Sequence, residues 1–457
     1  MKKIRDKTKS ARAWDLGEGG SLLQAADSPL AIALAVTIVV IISTFWHIPG
    51  RDTDSVWYIA LAEGRIATVV APFSGRFLLP LLARALATLT HQDLASAFAV
   101  IAYGSCFTIV YCVASLLKRL GLAPLWCAPF ILTPLLIDEA LHAYTPDVFH
   151  AALIAAFFYF FAAERWRAAL LFLFLATLTR ESTLLLCFVI VAFEFRGGRR
   201  RMALGAAGTG VLGSVICALI ARHGQPNIHA LNSMAYLALK VPYNLLKNWF
   251  GIVLWTNTFE WKSATTFAIR IPRWLPAGHL RELGLGPWAP EGPLTTMLAL
   301  LTVFGLAATV AVKALAKQRG SSLKAIPRTV TLSLWYGVIA LALGTVTGAG
   351  VTRLVGYGWP AFWIGVPVFL ANPGFRRSLP LPKFLLAHSA LCWMPAAVAY
   401  FLGEGAKYIA PQVGVAILLH VYAWKILPSS RPFSPGSSVS TVGAEEVIDK
   451  AWETIKG

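Results

Sequence analysis

The sequence predicts an all-α polytopic membrane protein, and three observations carry that prediction. Of the 457 residues, 57% are hydrophobic and only 14% are charged, whereas soluble domains carry about 25% charged residues. The mean hydropathy is +0.65, and long apolar runs recur from Leu30 to Leu427. The basic residues fall in short groups between these runs, as in helices that cross a bilayer with positive loops inside. A cytosolic globular enzyme, a secreted disulfide scaffold and a disordered chain are excluded.

The apolar runs predict about ten spanning helices and one broken helical hairpin. A spanning helix needs about 20 apolar residues. The stretch from Trp166 to Phe195 is interrupted by Thr179-Arg180-Glu181, so it is too long for one span and too short for two. We interpret it as two half-length helices. The predicted spans are 29–48, 94–117, 121–137, 146–163, 202–221, 294–312, 329–348, 358–372, 384–402 and 409–427.

The basic residues give an orientation and a domain organisation. Residues 1–28 are predicted to be a cytoplasmic segment, 29–427 the membrane domain and 428–457 a cytoplasmic tail, because most Lys and Arg residues then lie inside. Two outer loops, about 49–93 and 222–293, mix apolar and polar residues in the manner of helices that lie in the membrane interface.

Several familiar signals do not predict a site. The net charge of +18 suggests a nucleic-acid partner, but the basic residues are spread between apolar segments and not clustered on one soluble face, so no nucleic-acid partner is expected. The six cysteines lie in apolar stretches without a CxxC pair and are expected to be buried thiols. The GxGxxG match from Gly208 to Gly213 lies inside a predicted span, as does the pair Gly344 and Gly348, and both predict helix–helix packing.

Ionisable residues at membrane depth or at its edge are costly, so each is a functional candidate. Under the predicted topology a set of them converges on the outer face, while the cytoplasmic loops offer little besides basic residues. Function is therefore expected on the outer side. The set contains Asp52, Asp54, Arg76, Asp138, Glu139, His142, Asp147, Arg180, Glu181, His223 and Arg353.

Asp54 stands at the start of a predicted short helix, with Tyr58 one turn further on the same face. A carboxylate in this position can act as general base on a hydroxyl, or it can be only the N-cap of the helix. Asp52 and Asp54 together leave open a bound divalent cation, Mg²⁺ or Mn²⁺, because hard ions prefer carboxylate oxygens.

Three further charges each have two interpretations. Arg180 can grip a phosphate with Glu181 holding it in place, or the two can form an ion pair that merely stops the helix. Arg353 can contact a phosphate or anchor the chain at the interface. Asp147 follows Pro146 at the start of a span, where helix capping is the competing interpretation.

These motifs, taken in order, resemble the polyprenyl-phosphate-dependent GT-C glycosyltransferases. Asp54 directly follows the first span and precedes Tyr58 by four residues, and Asp52 completes a DxD-like form. The other segments that resemble this family are Arg76-Phe77-Leu78-Leu79-Pro80, Leu178-Thr179-Arg180-Glu181 and Thr352-Arg353 before a Pro-containing span.

The resemblance implies a GT-C-like enzyme of the bacterial cytoplasmic (inner) membrane, with both termini in the cytoplasm and the active site on the periplasmic side. Its donor would be a sugar on a polyprenyl phosphate that enters from the membrane lipids. The chain lacks the soluble outer domain of larger members after its last predicted span, which implies a lipid or lipid-linked glycan acceptor. The implied site residues are Asp54 and Asp52 for catalysis, Arg180, Arg353 and Arg76 for the donor phosphate, and Asp147, Glu181, Tyr58 and His223 for substrate.

Other functions remain open at this point. A flippase or transporter for lipid-linked sugars would use similar charges, but nearer the bilayer midplane and in both halves of the chain. An outer-face glycan polymerase or ligase would use outer-loop arginines on a diphosphate-linked donor. A purely structural membrane scaffold would need no site at all.

Overall fold

In the computed structural model the regular structure is almost entirely helical, which confirms the helical class that the sequence predicts. The structure describes residues 27–47, 49–50, 54–225, 233–256, 267–270, 282–318, 327–348, 350–371, 380–403 and 405–427.

The helices are numbered here in chain order. They are α1 (Pro29–Thr44), α2 (Ser55–Ala62), α3 (Leu78–Thr90), α4 (Leu94–Arg119), α5 (Pro124–Ile131, beginning as a 3₁₀ turn), α6 (Pro134–Leu141), α7 (Asp147–Ala162), α8 (Trp166–Thr179), α9 (Thr183–Arg196), α10 (Arg200–Ala221), α11 (Ser233–Phe250), α12 (Glu291–Thr302), α13 (Ala307–Gln318), α14 (Arg328–Gly344), α15 (Val351–Gly356), α16 (Ala361–Leu370), α17 (Leu381–Leu402) and α18 (Ala406–Ile426).

Among the described residues, four helices are long and apolar enough to cross a membrane, namely α4, α10, α17 and α18. The number rises to six if each of two bent helix pairs is one span. The chain is therefore a helical membrane protein, but the described segments do not contain the expected ten full-length spans.

The two bent pairs explain part of this difference. α5 and α6 meet at 70°, because Pro134 cannot continue a helix and holds the preceding Thr133 in an extended conformation. α12 and α13 meet at 79° near Gly305, whose φ of +44° favours glycine. The predicted spans 121–137 and 294–312 are thus interrupted helices.

Short and buried helices explain the rest. α1 and α7 have 16 residues and α14 has 17, so each is about 25 Å long at 1.5 Å per residue, against a hydrocarbon core of about 30 Å. The predicted span 358–372 contains α16, all of whose residues are buried. Hydropathy overcounts spans here because a helix enclosed by protein is as apolar as one that faces lipid.

The break predicted within residues 166–195 is present. α8 and α9 have 14 residues each and are separated by Arg180, Glu181 and Ser182. Both helices pack against α10. Further inside the bundle α4 packs on α7, and Phe98, Phe157 and Phe158 on these two helices are fully buried.

The two predicted outer loops contain helices, as expected, but the second also contains a sheet. Its strands are β1 (Leu254–Thr256), β2 (Phe267–Arg270) and β3 (Glu282–Leu285). They pair antiparallel in the order β1-β3-β2, with Leu285 opposite both Leu254 and Phe267. This small sheet is an exception within the helical class that the sequence did not predict, because strands of three and four residues are too short to show a clear period.

The helix ends separate into two groups. The guanidinium of Arg328, which begins α14, donates to the buried Glu194 carboxylate at 2.5 Å and lies 5.8 and 6.0 Å from the ring centres of Phe161 and Phe193. These contacts join the last turns of α7 and α9 to the start of α14, and we call this region the Arg328 end. The opposite ends of α7 and α9 form what we call the Asp147 end.

The GxGxxG motif from Gly208 to Gly213 contributes to helix–helix packing, as the sequence predicts. A Cβ at Gly213 would lie 2.6 Å from Thr177 Cγ2, and one at Gly210 would lie 3.3 Å from Cys187 Cβ. A Cβ at Gly208 would have no heavy atom within 4 Å. The motif therefore brings α10 against α8 and α9 through two of its three glycines.

We expect Gly213→Ala to destabilise the protein and Gly208→Ala not to destabilise it. Gly213→Ala overpacks the contact with Thr177 and should cost about 1–3 kcal/mol. Gly208→Ala should be neutral or stabilising by up to about 1 kcal/mol, because alanine favours helix and the space is open. Thermal unfolding of both variants in the same detergent checks this, and equal shifts would contradict the close approach at Gly213.

Candidate functional site

The break between α8 and α9 positions the first two charges of the site. Arg180 ends α8 in an extended conformation, with φ −158° and ψ 135°. Glu181 follows in a turn, and the two neighbouring side chains have different partners. Arg180 is buried, with 6% of its surface exposed, whereas Glu181 is exposed.

Arg180 forms an ion pair with Asp147, the first residue of α7. Only 7% and 2% of the two side chains are exposed. Tyr357 donates its hydroxyl hydrogen to the same carboxylate, and its ring centre lies 4.8 Å from the Arg180 guanidinium. A buried carboxylate needs such partners to compensate for its lost hydration.

Arg353, in α15, links Asp147 to Asp54. Its Nη1 is 3.8 Å from Oδ2 of Asp147, and its Nη2 is 3.5 Å from Oδ2 of Asp54. Asp54 precedes α2 without any capping hydrogen bond from its side chain. Asp147 belongs to the first turn of α7, whose N-cap position is Pro146. Helix capping therefore does not account for either carboxylate.

Arg76 and Glu181 form the second part of the network. Nε of Arg76 donates to Oε2 of Glu181 at 2.8 Å, and Nη2 donates to the other carboxylate oxygen. Nη1 donates to the Tyr58 hydroxyl at 3.0 Å, and the guanidinium lies 5.4 Å from the ring centre of Phe73. The Arg76 side chain is 11% exposed and that of Glu181 55%.

Electrostatics keep Glu181 ionised. Its partial desolvation raises the pKa, but the charge and hydrogen bonds of Arg76, with a smaller contribution from Arg180, outweigh that effect and lower the pKa to about 2. Because the folded-state pKa is depressed, Glu181 stabilises the fold above its unfolded pKa of about 4.3, and this contribution is lost as the pH falls towards 2.

A cavity of about 360 Å³ opens beside these residues, within the usual size range of ligand sites. Three cations and one carboxylate line it, namely Arg76, Arg180, Lys240 and Glu181. A second cavity, which Asp147 and Arg353 line, measures only about 30 Å³ and is too small for a sugar or a phosphate ester. The remaining wall of the larger cavity is mostly apolar and comprises Ala71, Pro72, Gly75, Thr177, Leu184, Ser214, Cys217, Ala218 and Ala221.

Seven of the nine residues that the sequence singled out for the site meet at the Asp147 end. They form two groups that the adjacent residues Arg180 and Glu181 join. One detail was wrong: Glu181 holds Arg76 and not Arg180, since Arg180 is held by Asp147. The seven are Asp54, Tyr58, Arg76, Asp147, Arg180, Glu181 and Arg353.

The other two predicted residues are not in this network. His223 lies exposed in the turn after α10, where no contact with the seven side chains is found within the described residues. Asp52 lies outside the residues that the structure describes, so the predicted cation site of Asp52 and Asp54 stays a prediction. Within the described part of the chain, no group of three or more His, Cys, Asp or Glu side chains is placed to hold a metal ion.

Sequence reasoning missed three residues of the site. Tyr357 follows Arg353 by four residues, and that one-turn spacing could have indicated it. His150 follows Asp147 by one turn and is buried, with Nε2 2.8 Å from Thr183 Oγ1 and its ring 5.8 Å from that of Tyr357. Lys240 is a basic residue of α11 whose approach to the cavity only the fold reveals.

Comparison with known proteins adds no relative. No protein-family model matches the chain, and none of the curated proteins matches it. What the chain does is therefore inferred from its own residues and their geometry.

We expect Asp147→Asn to destabilise the protein by about 3–5 kcal/mol, because Arg180 then keeps a buried charge without its counter-ion. Asp138→Asn is a suitable control, since Asp138 forms an exposed pair with His142 at 3.6 Å that is worth at most about 1 kcal/mol. Chemical unfolding in detergent measures both. If the two variants lose similar free energies of unfolding, the buried pair does not stabilise the fold more than the exposed pair does.

Proposed function

We propose that this chain is a membrane glycosyltransferase that moves a sugar from a polyprenyl phosphate to a lipid or a lipid-linked glycan. The observation that carries the proposal is the network at the Asp147 end, built from distant chain segments beside a cavity with cations and an apolar wall. A polyprenyl phosphate offers the matching chemistry, an anionic head on an apolar chain. Its sugar needs no nucleotide pocket.

In this proposal the cavity receives the phosphate of the donor. Arg76, Arg180 and Lys240 supply positive charge along the cavity, and guanidinium groups suit the geometry of phosphate oxygens. The wall from α10 is made of small side chains, and other faces of the same helix are exposed, with 66% of Val211 and 50% of Leu219 accessible. An exposed apolar helix beside the cavity is suited to an isoprenoid chain in the membrane.

Asp54 is the proposed general base. Its side chain is 26% exposed, so an acceptor hydroxyl can reach it, and Arg353 holds the carboxylate in place. Asp54 accepts the hydroxyl proton as the oxygen bonds to the anomeric carbon. The bond between that carbon and the phosphate oxygen breaks, and the phosphate leaves with the electron pair. The cations around the cavity stabilise the negative charge that develops on it.

We propose that the Asp147 end faces the periplasm and the Arg328 end the cytoplasm of a bacterial inner membrane. The basic helix ends favour this orientation, since Arg119, Arg196 and Arg200 begin or end helices on the Arg328 side. Both termini are then cytoplasmic. The shorter apolar helices α1, α7 and α14, with the bilayer thinned around them, and the enclosed α16 are proposed to complete the ten crossings.

The position of the charges favours transfer over transport. Carriers of lipid-linked sugars need charged groups near the bilayer midplane, whereas the network lies where helices begin and end. The main alternative function is an outer-face glycan polymerase or ligase. It differs from the proposed glycosyltransferase in using a diphosphate-linked donor.

We expect Asp54→Asn to lower sugar transfer about 10²–10⁴-fold, the usual contribution of a general base. The measurement is transfer of labelled sugar from a polyprenyl-phosphate donor pool to membrane lipid or glycan by the full chain. Glu63→Gln is the matched control, since Glu63 follows the same short helix and forms an exposed pair with Arg65.

Full transfer by Asp54→Asn, at an unchanged protein level, would reject Asp54 as the base and direct attention to Asp147 or Asp52. Absence of transfer in the native protein, with diphosphate-linked donors active instead, would favour the polymerase or ligase. The control variant should transfer as the native protein does.

A further inference from the structure

The two arginines that line the larger cavity are held in different ways. Arg180 pairs with Asp147, and both side chains are almost fully buried. The Arg76 side chain is 11% exposed, and that of its partner Glu181 is 55% exposed. One arginine therefore has a fixed counter-ion and the other has a counter-ion that can move into solvent.

The contact between Arg76 and Glu181 has the geometry of a phosphate contact. Two parallel N–H groups of Arg76 donate to the two oxygens of the carboxylate, and a phosphate presents its oxygens to the same fork. The guanidinium would keep its orientation without Glu181, because its third nitrogen donates to Tyr58 and its face lies on Phe73.

We propose that Glu181 occupies the phosphate-binding fork of Arg76 and that a phosphate monoester or diester displaces it. Arg76 then makes the bidentate contact, and Arg180 adds positive charge at the cavity wall. Removal of the carboxylate from the fork also takes away the negative charge that would repel the incoming anion. Glu181 is thus a positioning residue that keeps Arg76 oriented in the absence of ligand and sets the affinity for the phosphate.

The apolar wall from α10 and Leu184 assigns a lipid phosphate to the fork in preference to a free phosphate. Only this choice of lipid rests on the proposed function. The displacement of Glu181 is a property of the Arg76 fork, and it applies to any ligand with two phosphate oxygens.

The test is binding of geranylgeranyl phosphate and of inorganic phosphate to the full chain in detergent, by titration calorimetry. Glu181→Gln should bind both about tenfold more tightly, because the competing charge is removed, a change of about 1.4 kcal/mol. Arg76→Lys should bind both about tenfold more weakly, since lysine keeps the charge but loses the fork. Glu63→Gln should bind as the native protein does, and thermal unfolding of each variant confirms that it is folded.

Unchanged or weaker binding by folded Glu181→Gln would overturn the proposal, as would a native protein that binds neither phosphate. Tighter binding of the lipid than of inorganic phosphate supports the lipid assignment, and equal affinities would assign the fork to a free phosphate. The readout is independent of sugar transfer. If the native chain transfers no sugar but the variants change phosphate binding as expected, the proposed glycosyltransferase activity is rejected. The displacement of Glu181 from Arg76 by phosphate is then still supported.

Discussion

The buried ion pair between Asp147 and Arg180 is the contact on which the rest of the site depends. It fixes the start of α7 against the break between α8 and α9. Tyr357 and Arg353 reach the same carboxylate and so bring α15 to this point. Because burial of both charges costs several kcal/mol each unless their geometry is good, the pair leaves little freedom to the elements that carry it.

From this contact the remaining positions follow. Arg180 ends α8 in an extended conformation and pairs with the buried Asp147, whereas the adjacent Glu181 is exposed and pairs with Arg76. Both residues line the larger cavity. On the other side, Arg353 spans from Asp147 to Asp54, so the position of the proposed base is set through two ion pairs. The pair between Asp147 and Arg180 is thus connected to the cationic cavity through Arg180 and to the Asp54 carboxylate through Arg353.

The sequence singled out residues that the fold brings together, although it did not predict the number of spans. A charge near an apolar span is rare for an energetic reason, and that reason holds whatever the helices do in detail, so Arg76, Asp147 and Arg353 could be named as candidates from the sequence. The number of spans depends on whether an apolar helix faces lipid or protein, as α16 shows. Composition alone does not distinguish these cases.

The sequence also did not predict which charged side chains pair with each other. Arg180 and Glu181 are neighbours in the chain, and their opposite charges favoured the hypothesis that one holds the other. The extended residue that ends α8 separates them, and each finds a partner more than thirty residues away in the sequence. Tyr357 escaped prediction for a similar reason, because its hydroxyl matters only once Asp147 is beside it.

The network carries three arginines and three carboxylates, so its charges balance, and balance alone would suit a purely structural role. The exposed fractions of the paired side chains favour a binding role in addition to the structural one. A structural network gains most when every charge has a fixed partner, yet Glu181 is 55% exposed while Arg76, its partner, is 11% exposed. That pair lines a cavity of about 360 Å³ together with a third cation, Lys240. The ion pair at Asp147 therefore supports the fold. At Arg76, an anion from outside the chain can replace Glu181 as the counter-ion.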